Sequence, residues 1–156
     1  IIMEDLSALS QVAEFHHTFK HPIVERAAIP SKVRSKLRID LIAEELKELQ
    51  EAVDNDDLVE VADALCDLQY VLAGAVLEFG LGTKFKTLFD EVHRSNMSKA
   101  CKTVEEAEET IAFYKQKDNV DAYFKEIDGL YLVYRKGDDK TLKSINYSPA
   151  DLKGLL

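Results

Sequence analysis

Several things are scarce in this 156-residue chain, and each scarcity closes off a class of function. Basic residues are outnumbered, 20 Lys and Arg against 29 Asp and Glu, for a formal charge of -9. The protein's own field therefore repels nucleic acid and anionic membranes, and a phosphate-bearing ligand has to arrive with metal or meet local cations. Cysteine is nearly absent. Cys66 and Cys101 have neither a paired spacing nor a metal-ligand pattern, so a disulfide framework is not expected and a reducing, cytoplasmic setting is. No long apolar run exists: the longest, Leu68 to Leu77, is broken by Gln69 and stops at Glu78, too short to cross a bilayer. No basic start, apolar core and small-residue cleavage site coincide near residue 1. The expectation is a protein neither secreted nor membrane-spanning. Internal repeats and low-complexity tracts are missing as well.

What is present, with 46% hydrophobic content, suffices for a core of ordinary size. Leu6, Leu9, Val12, Ala13, Phe15 and Phe19 recur at helical spacing and predict a first helix ending near His21-Pro22. Pro22 to Pro30 reads as a connecting arm. Ser31 then caps a long second helix through Val33, Leu37, Leu41, Leu46, Leu49 and Val53, which ends in Asp54-Asn55-Asp56. A third helix starts near Asp57 and runs to Phe79, stopped by Gly80 and Gly82. The short link makes helices two and three antiparallel neighbours sharing a groove. A fourth helix is predicted over 84–99. The capping box Thr103-x-x-Glu106 opens a fifth over 104–117.

From Ala122 the pattern changes. Tyr123, Phe124 and Ile127, then Asp128-Gly129, then Leu130 to Tyr134 signal a hairpin. Ser148-Pro149 reads as the start of a short terminal helix carrying Leu152, Leu155 and Leu156. The fold class expected is thus an all-α antiparallel bundle of four to five helices with a small C-terminal β-hairpin and short terminal helix. The organisation expected is a helical domain over residues 1–117 and a β-ribbon extension over 118–156.

The acids carry the chemistry. Glu44, Glu45 and Glu48 share one side of helix two, and Glu60, Asp63 and Asp67 form a single line on helix three that continues into Tyr70 and Gly74. Around that line the third helix is apolar on nearly every side, which predicts burial. Acids on helix two can be a solvated face paired with Lys47. On helix three that explanation weakens, because no Lys or Arg occurs from Asp54 to Thr83. Buried carboxylates without partners are costly, and a hard divalent cation such as Mg²⁺, which takes carboxylate, water and phosphate oxygens, compensates them. The same ligands accept Mn²⁺.

Glu45-x-x-Glu48, eleven residues, then Glu60-x-x-Asp63 resembles the signature of the MazG-like, phosphoribosyl-ATP pyrophosphohydrolase-like all-α nucleoside triphosphate pyrophosphohydrolases. Ala62 to Val71, Gly74, Phe79-Gly80 and Val92 to Lys99 are similar to one branch, so the resemblance covers roughly residues 15–99. It implies an all-helical core assembled as a homodimer or homotetramer, with Mg²⁺ held by Glu45, Glu48, Glu60 and Asp63. Glu44 and Asp67 match acids of some branches only; Asp67 is added to the metal set and Glu44 with Glu45 to the catalytic pair that orients or deprotonates water. The substrate implied is a nucleoside triphosphate, cleaved to monophosphate and pyrophosphate in nucleotide-pool house-cleaning.

Lys84, Arg94 and Lys99 belong to a local basic zone, and with Asn96 they are the expected phosphate, sugar or base contacts. The alternative for these cations is complementing a helix C-terminus. Phe15, His16 and Tyr70 are candidate pocket residues, packing being the competing role; His16 and His17, adjacent on a helix, diverge and do not bind one metal together. Helix three, apolar nearly all round, implies cover by a partner subunit. Two other functions stay open: a non-catalytic metal-binding helical module, and phosphoribosyl-ATP hydrolysis proper, for which the C-terminal extension has no explanation.

Overall fold

A computed structural model describes all 156 residues, Ile1–Leu156. In chain order the elements are α1 (Ala8–Phe19), α2 (Lys32–Asp54), α3 (Leu58–Glu78), α4 (Phe85–Met97), α5 (Val104–Asp118), β1 (Ala122–Ile127), β2 (Leu130–Arg135) and β3 (Thr141–Leu142), with a 3-10 turn at Lys153–Leu155. The expected helical core with an appended antiparallel ribbon is what forms. The chain divides into two compact units, Ile1–Phe85 and Lys86–Leu156. No helix is long and apolar enough to cross a membrane.

In the first unit the Ser31 hydroxyl accepts the Arg34 N–H at 3.3 Å and opens α2. At the other end the Asn55 N–H returns to the Glu51 carbonyl, Asp56 turns the chain with a φ of 52°, and Asp57 caps α3 by accepting the Glu60 N–H at 3.1 Å. A link this short folds α3 back along α2. α1 packs on α3 through Val12, Ala73 and Leu77. It ends at Lys20, whose left-handed φ of 62° breaks the helix just ahead of Pro22. The arm that follows is bonded to the end of α3: Val24 N–H to the Leu77 carbonyl and Ala28 N–H to the Phe79 carbonyl, both 3.0 Å. Those bonds satisfy carbonyls that a helix C-terminus leaves without partners. Gly80 permits the close approach, since it has a φ of 72° and a Cβ there would run into the Arg26 backbone.

The burial predicted for the whole of α3 holds from Ala73 to its end and, before that, at Ala64. Ala73, Gly74, Val76, Leu77 and Glu78 are buried, while Leu58, Val59, Leu65 and Leu72 are 80%, 76%, 51% and 44% exposed. Within a single chain α1 and α2 cover only part of α3's circumference, so its first half keeps apolar side chains in solvent.

In the second unit α5 lies on the sheet over a core of Cys101, Ala107, Ala122, Val133 and Leu142. The hairpin turns at Asp128 and Gly129, with φ of 52° and 81°, the double positive conformation of a tight primed turn. A third strand was not expected: Thr141–Leu142 pairs with Tyr134 and Val133, giving the order β1-β2-β3. The capping box is half formed. Thr103 accepts the Glu106 N–H at 3.1 Å, but the Glu106 carboxylate bonds the Lys102 N–H, not that of the cap residue. It also accepts from Ser144 Oγ at 2.7 Å and Asn146 Nδ2 at 2.8 Å. The terminal helix expected from Ser148-Pro149 is reduced to the 3-10 turn. The Ser148 N–H donates to Ser98 Oγ at 2.9 Å, and the Pro149 carbonyl accepts from Arg94 at 3.3 Å. Ser98 Oγ also donates to the Ser148 carbonyl at 3.4 Å, so the carbonyls of Ser148 and Pro149, the first acceptors of such a helix, both have partners elsewhere.

Candidate active site

The site is built on the α2–α3 hairpin. Residues equally far in sequence from Asp56 face each other across it, because both helices climb at the same rise from one tight turn. Arg34 meets Glu78, Arg38 meets Gly74, and Glu45 meets Asp67. Along α2, Arg38, Leu41, Glu45 and Glu48 share one face by their spacing; along α3, Asp67, Tyr70, Val71 and Gly74 do. One groove therefore runs from an apolar end to an acidic one.

At the acidic end, carboxylate oxygens of Glu45, Glu48 and Asp67 lie within 4.8 Å of one another. Glu45 and Asp67 are half-buried and Glu48 is exposed. Burial pushes the Glu45 carboxyl up, helped by a hydrogen bond with Glu48 and by the charges of Glu48, Asp67 and Glu44. Its Oε2 is buried with no hydrogen-bond partner. A buried carboxylate oxygen among like charges, with no donor, is a mismatch that a hard cation relieves. This group could hold a metal, and its all-oxygen donor set suits Mg²⁺ or Mn²⁺.

Glu44 is exposed beside it. Glu60 and Asp63 are exposed and outside the close group. The register explains this, since Asp63 stands level with Leu49 and Glu60 with Ala52, one and two turns from Glu45. Glu60 instead shares a cleft of about 330 Å³ with Glu48, Glu51, Asn55 and Asp57.

One turn toward the other end, about 5 Å along the helices, the groove widens into a cavity of about 400 Å³. Phe15, His16 and Tyr70 all line it, with His21, Leu37 and Arg38. Phe15 stacks on His21, their ring centres 5.7 Å apart at 9°, and meets Tyr70 edge-on at 5.6 Å. His16 is buried; its Nδ1 is 2.8 Å from the Pro22 carbonyl, which only accepts, so Nδ1 carries the hydrogen. Burial lowers its pKa, as do the Arg38 and His21 charges, against the opposing pull of the Pro22 bond; this favours the neutral ring, in which Nε2 is the acceptor.

Beneath the cavity lies an ion cluster not foreseen from sequence. Glu78, 2% exposed, accepts from Arg34 Nε and Nη2, each at 2.8 Å, and from Arg38 Nε at 2.7 Å. The Arg34 bonds, and then the bond and charge of Arg38, hold its pKa down to about 2 despite burial. The signal was legible in principle. Arg34 and Arg38 are one turn apart, and Glu78 interrupts an apolar stretch at the position the hairpin places opposite them.

The remaining candidates are elsewhere. Lys84, in the first unit, follows the α3 stop, where its N–H bonds the Leu81 carbonyl at 3.1 Å. In the second unit Arg94 Nε bonds Glu91 at 2.6 Å and its Nη2 the Pro149 carbonyl. Asn96 and Lys99 line a cavity of about 300 Å³ against Leu132 and Thr141.

The all-helical core that the MazG-like resemblance implies is present, with Glu45 and Glu48 of its implied metal set close together and Glu60 and Asp63 outside that group. Residues 12–96, more than half of the chain, match the phosphoribosyl-ATP pyrophosphohydrolase family, and the chain belongs to that family. It is also similar to an uncharacterized protein of Acanthamoeba polyphaga mimivirus, 34% identical over 92 residues. That match takes in 56% of this chain and 37% of the relative, so the chain spans little more than a third of the viral protein's length.

Proposed function

We propose that the protein is a Mg²⁺-dependent nucleoside triphosphate pyrophosphohydrolase, releasing a monophosphate and pyrophosphate by attack of water on the α-phosphorus. The observation that carries this is the partnerless, buried Oε2 of Glu45 inside a three-carboxylate group, one helical turn from a cavity with aromatic walls. Glu45, Glu48 and Asp67 would hold the cation; Glu60 and Asp63, which the resemblance adds to the set, stand further along α3 toward the hairpin turn. When bound, Mg²⁺ neutralises triphosphate charge and makes water more acidic; Mn²⁺ suits the same oxygens. Glu44, exposed next to Glu45, and Glu45 itself are the carboxylates within reach of a water proton. The nucleoside enters the cavity against Phe15, Tyr70 and His16, leaving its phosphates toward the acids. Lys84, Arg94, Asn96 and Lys99 are the side chains proposed to contact the substrate.

The biological reading is cytoplasmic house-cleaning of nucleotide pools. Assembly as a homodimer or homotetramer is part of the proposal, supported by the apolar residues that the first half of α3 exposes. The test is pyrophosphate release from a panel of ribo- and deoxynucleoside triphosphates, with Mg²⁺, Mn²⁺ and EDTA arms and Glu48→Gln as control. Release lost with EDTA and in the variant is the expected result. Because the family's description names phosphoribosyl-ATP, that compound belongs in the panel, and its exclusive turnover would replace the triphosphate reading. A folded, metal-binding protein that turns over nothing would be a binding module instead.

A further inference from the structure

The floor of the cavity between α1, α2 and α3 carries two polar groups set side by side. A Cβ placed on Gly74 would stand 2.7 Å from Arg38 Nη1 and 3.1 Å from His16 Nε2. Both groups thus lie over the same bare stretch of α3 backbone. Arg38 is fixed there: its side chain is 7% exposed and its Nε is committed to Glu78, which Arg34 grips from the other side. That commitment leaves the Nη edge to donate. His16 is fixed too, by its Nδ1–H bond to the Pro22 carbonyl, which leaves Nε2 to accept. A permanent donor and an acceptor therefore adjoin in a pocket whose walls are flat rings.

The charge of the floor adds a preference. Two guanidinium groups meet a single carboxylate and His16 is neutral, so the cluster keeps one formal positive charge. An edge bearing a carbonyl oxygen is drawn to it, and an edge led by an amino group is not. Guanidinium groups match keto oxygens for this reason.

We infer that the cavity is a base-reading site selecting nucleobases whose edge sets a carbonyl beside a ring N–H, namely uracil, thymine, guanine and hypoxanthine. The Arg38 Nη edge donates to the carbonyl oxygen, and His16 Nε2 accepts the ring N–H. Glu78 is a positioning residue that aims Arg38 without touching the base. The inference rests on the proposal that this cavity and the acidic group form one nucleotide site, and it names which nucleotides.

The test separates the two ideas. Calorimetric titration of the metal-free 156-residue chain in EDTA with uridine, guanosine, cytidine and adenosine 5′-monophosphates reads the base site without hydrolysis. Uridine and guanosine monophosphates should bind about tenfold tighter or better than the other two, the discrimination one good polar pair affords. Arg38→Lys, which keeps the cation for Glu78, and His16→Leu should each narrow that gap to under about threefold. With Mg²⁺ and the corresponding triphosphates, these variants should move KM and leave kcat nearly unchanged. Equal or reversed preference in the unaltered protein overturns the inference, and this arm needs no variant to fold. So does a preference that persists in both folded variants, or no binding of any of the four. Selective monophosphate binding without hydrolysis of any triphosphate keeps the base site and overturns the hydrolase proposal.

Discussion

Glu78 and Glu45 sit on facing helices of one hairpin, and their carboxyls are driven in opposite directions. Glu78 has two guanidinium partners and is held down to about 2. Its folded pKa lies below its unfolded value, so its contribution is present above pH about 4.5 and is lost as pH falls toward 2. Glu78→Gln strands two arginines, one of them buried, and should lower stability at pH 7 by about 3 kcal/mol; the difference from the unaltered protein, read by urea unfolding, should shrink progressively below pH 4.5. An undiminished gap at pH 3 would show that shape, not charge, holds the cluster. Glu45 is raised by burial and by its acidic neighbours. Its ionised form opposes folding, so the metal-free protein should gain stability as pH falls through that raised pKa. Glu45→Gln should melt at a higher temperature than the unaltered protein in EDTA at pH 7 and lose the stabilisation that Mg²⁺ confers. A variant that melts lower, or that Mg²⁺ still stabilises fully, contradicts this account.

At the scale of elements, the ends of α2 and α3 carry the precision of the site, since a shift of the hairpin by one residue would separate Glu45 from Asp67. The caps hold that register: Ser31 at the start of α2 and Asp57 at the start of α3. Ser31→Ala should cost about 1 kcal/mol, measurable by chemical denaturation. Gly80 holds the other end of α3, where its positive φ and the Arg26 backbone exclude a side chain. Gly80→Ala should cost at least about 2 kcal/mol and free the arm from Pro22 to Pro30, which hydrogen exchange at Val24 and Ala28 would detect. Protection unchanged at both amides would mean the arm is held by other contacts. Most of these elements were legible from spacing and caps, and helix limits read that way fall within two residues of those observed. β3 was not legible, because two residues carry no period; nor was the loss of the terminal helix, which depends on Ser98 and Arg94 from distant parts of the sequence.

At the scale of the whole molecule, the surface of α3 carries exposed apolar side chains. Leu58 and Val59 project near the hairpin turn, and Leu65 projects further along; exposed apolar side chains grouped on one helix are the kind of surface a partner covers. The proposed self-association predicts a dimer or tetramer by light scattering at micromolar concentration. Leu65→Glu should shift it toward monomer without unfolding it, since that side chain is already half exposed. A monodisperse monomer of the unaltered protein would leave this surface to a different partner.

Sequence alone determined the helical hairpin and its acids, because those follow from local periodicity, capping residues and spacing within single helices, and the resemblance of Glu45-x-x-Glu48 and Glu60-x-x-Asp63 to a known motif indicated the family. It also placed Phe15, His16 and Tyr70 among the pocket candidates. Tertiary structure decided which acids converge: Asp67 joins Glu45 and Glu48, while Glu60 and Asp63 stand apart. It alone brought Arg38 and His16 together over Gly74. Those pairings depend on the register of α2 against α3 and on how α1 crosses them, and contacts between helices are set by the geometry of turns and packing rather than by any repeat along one chain segment.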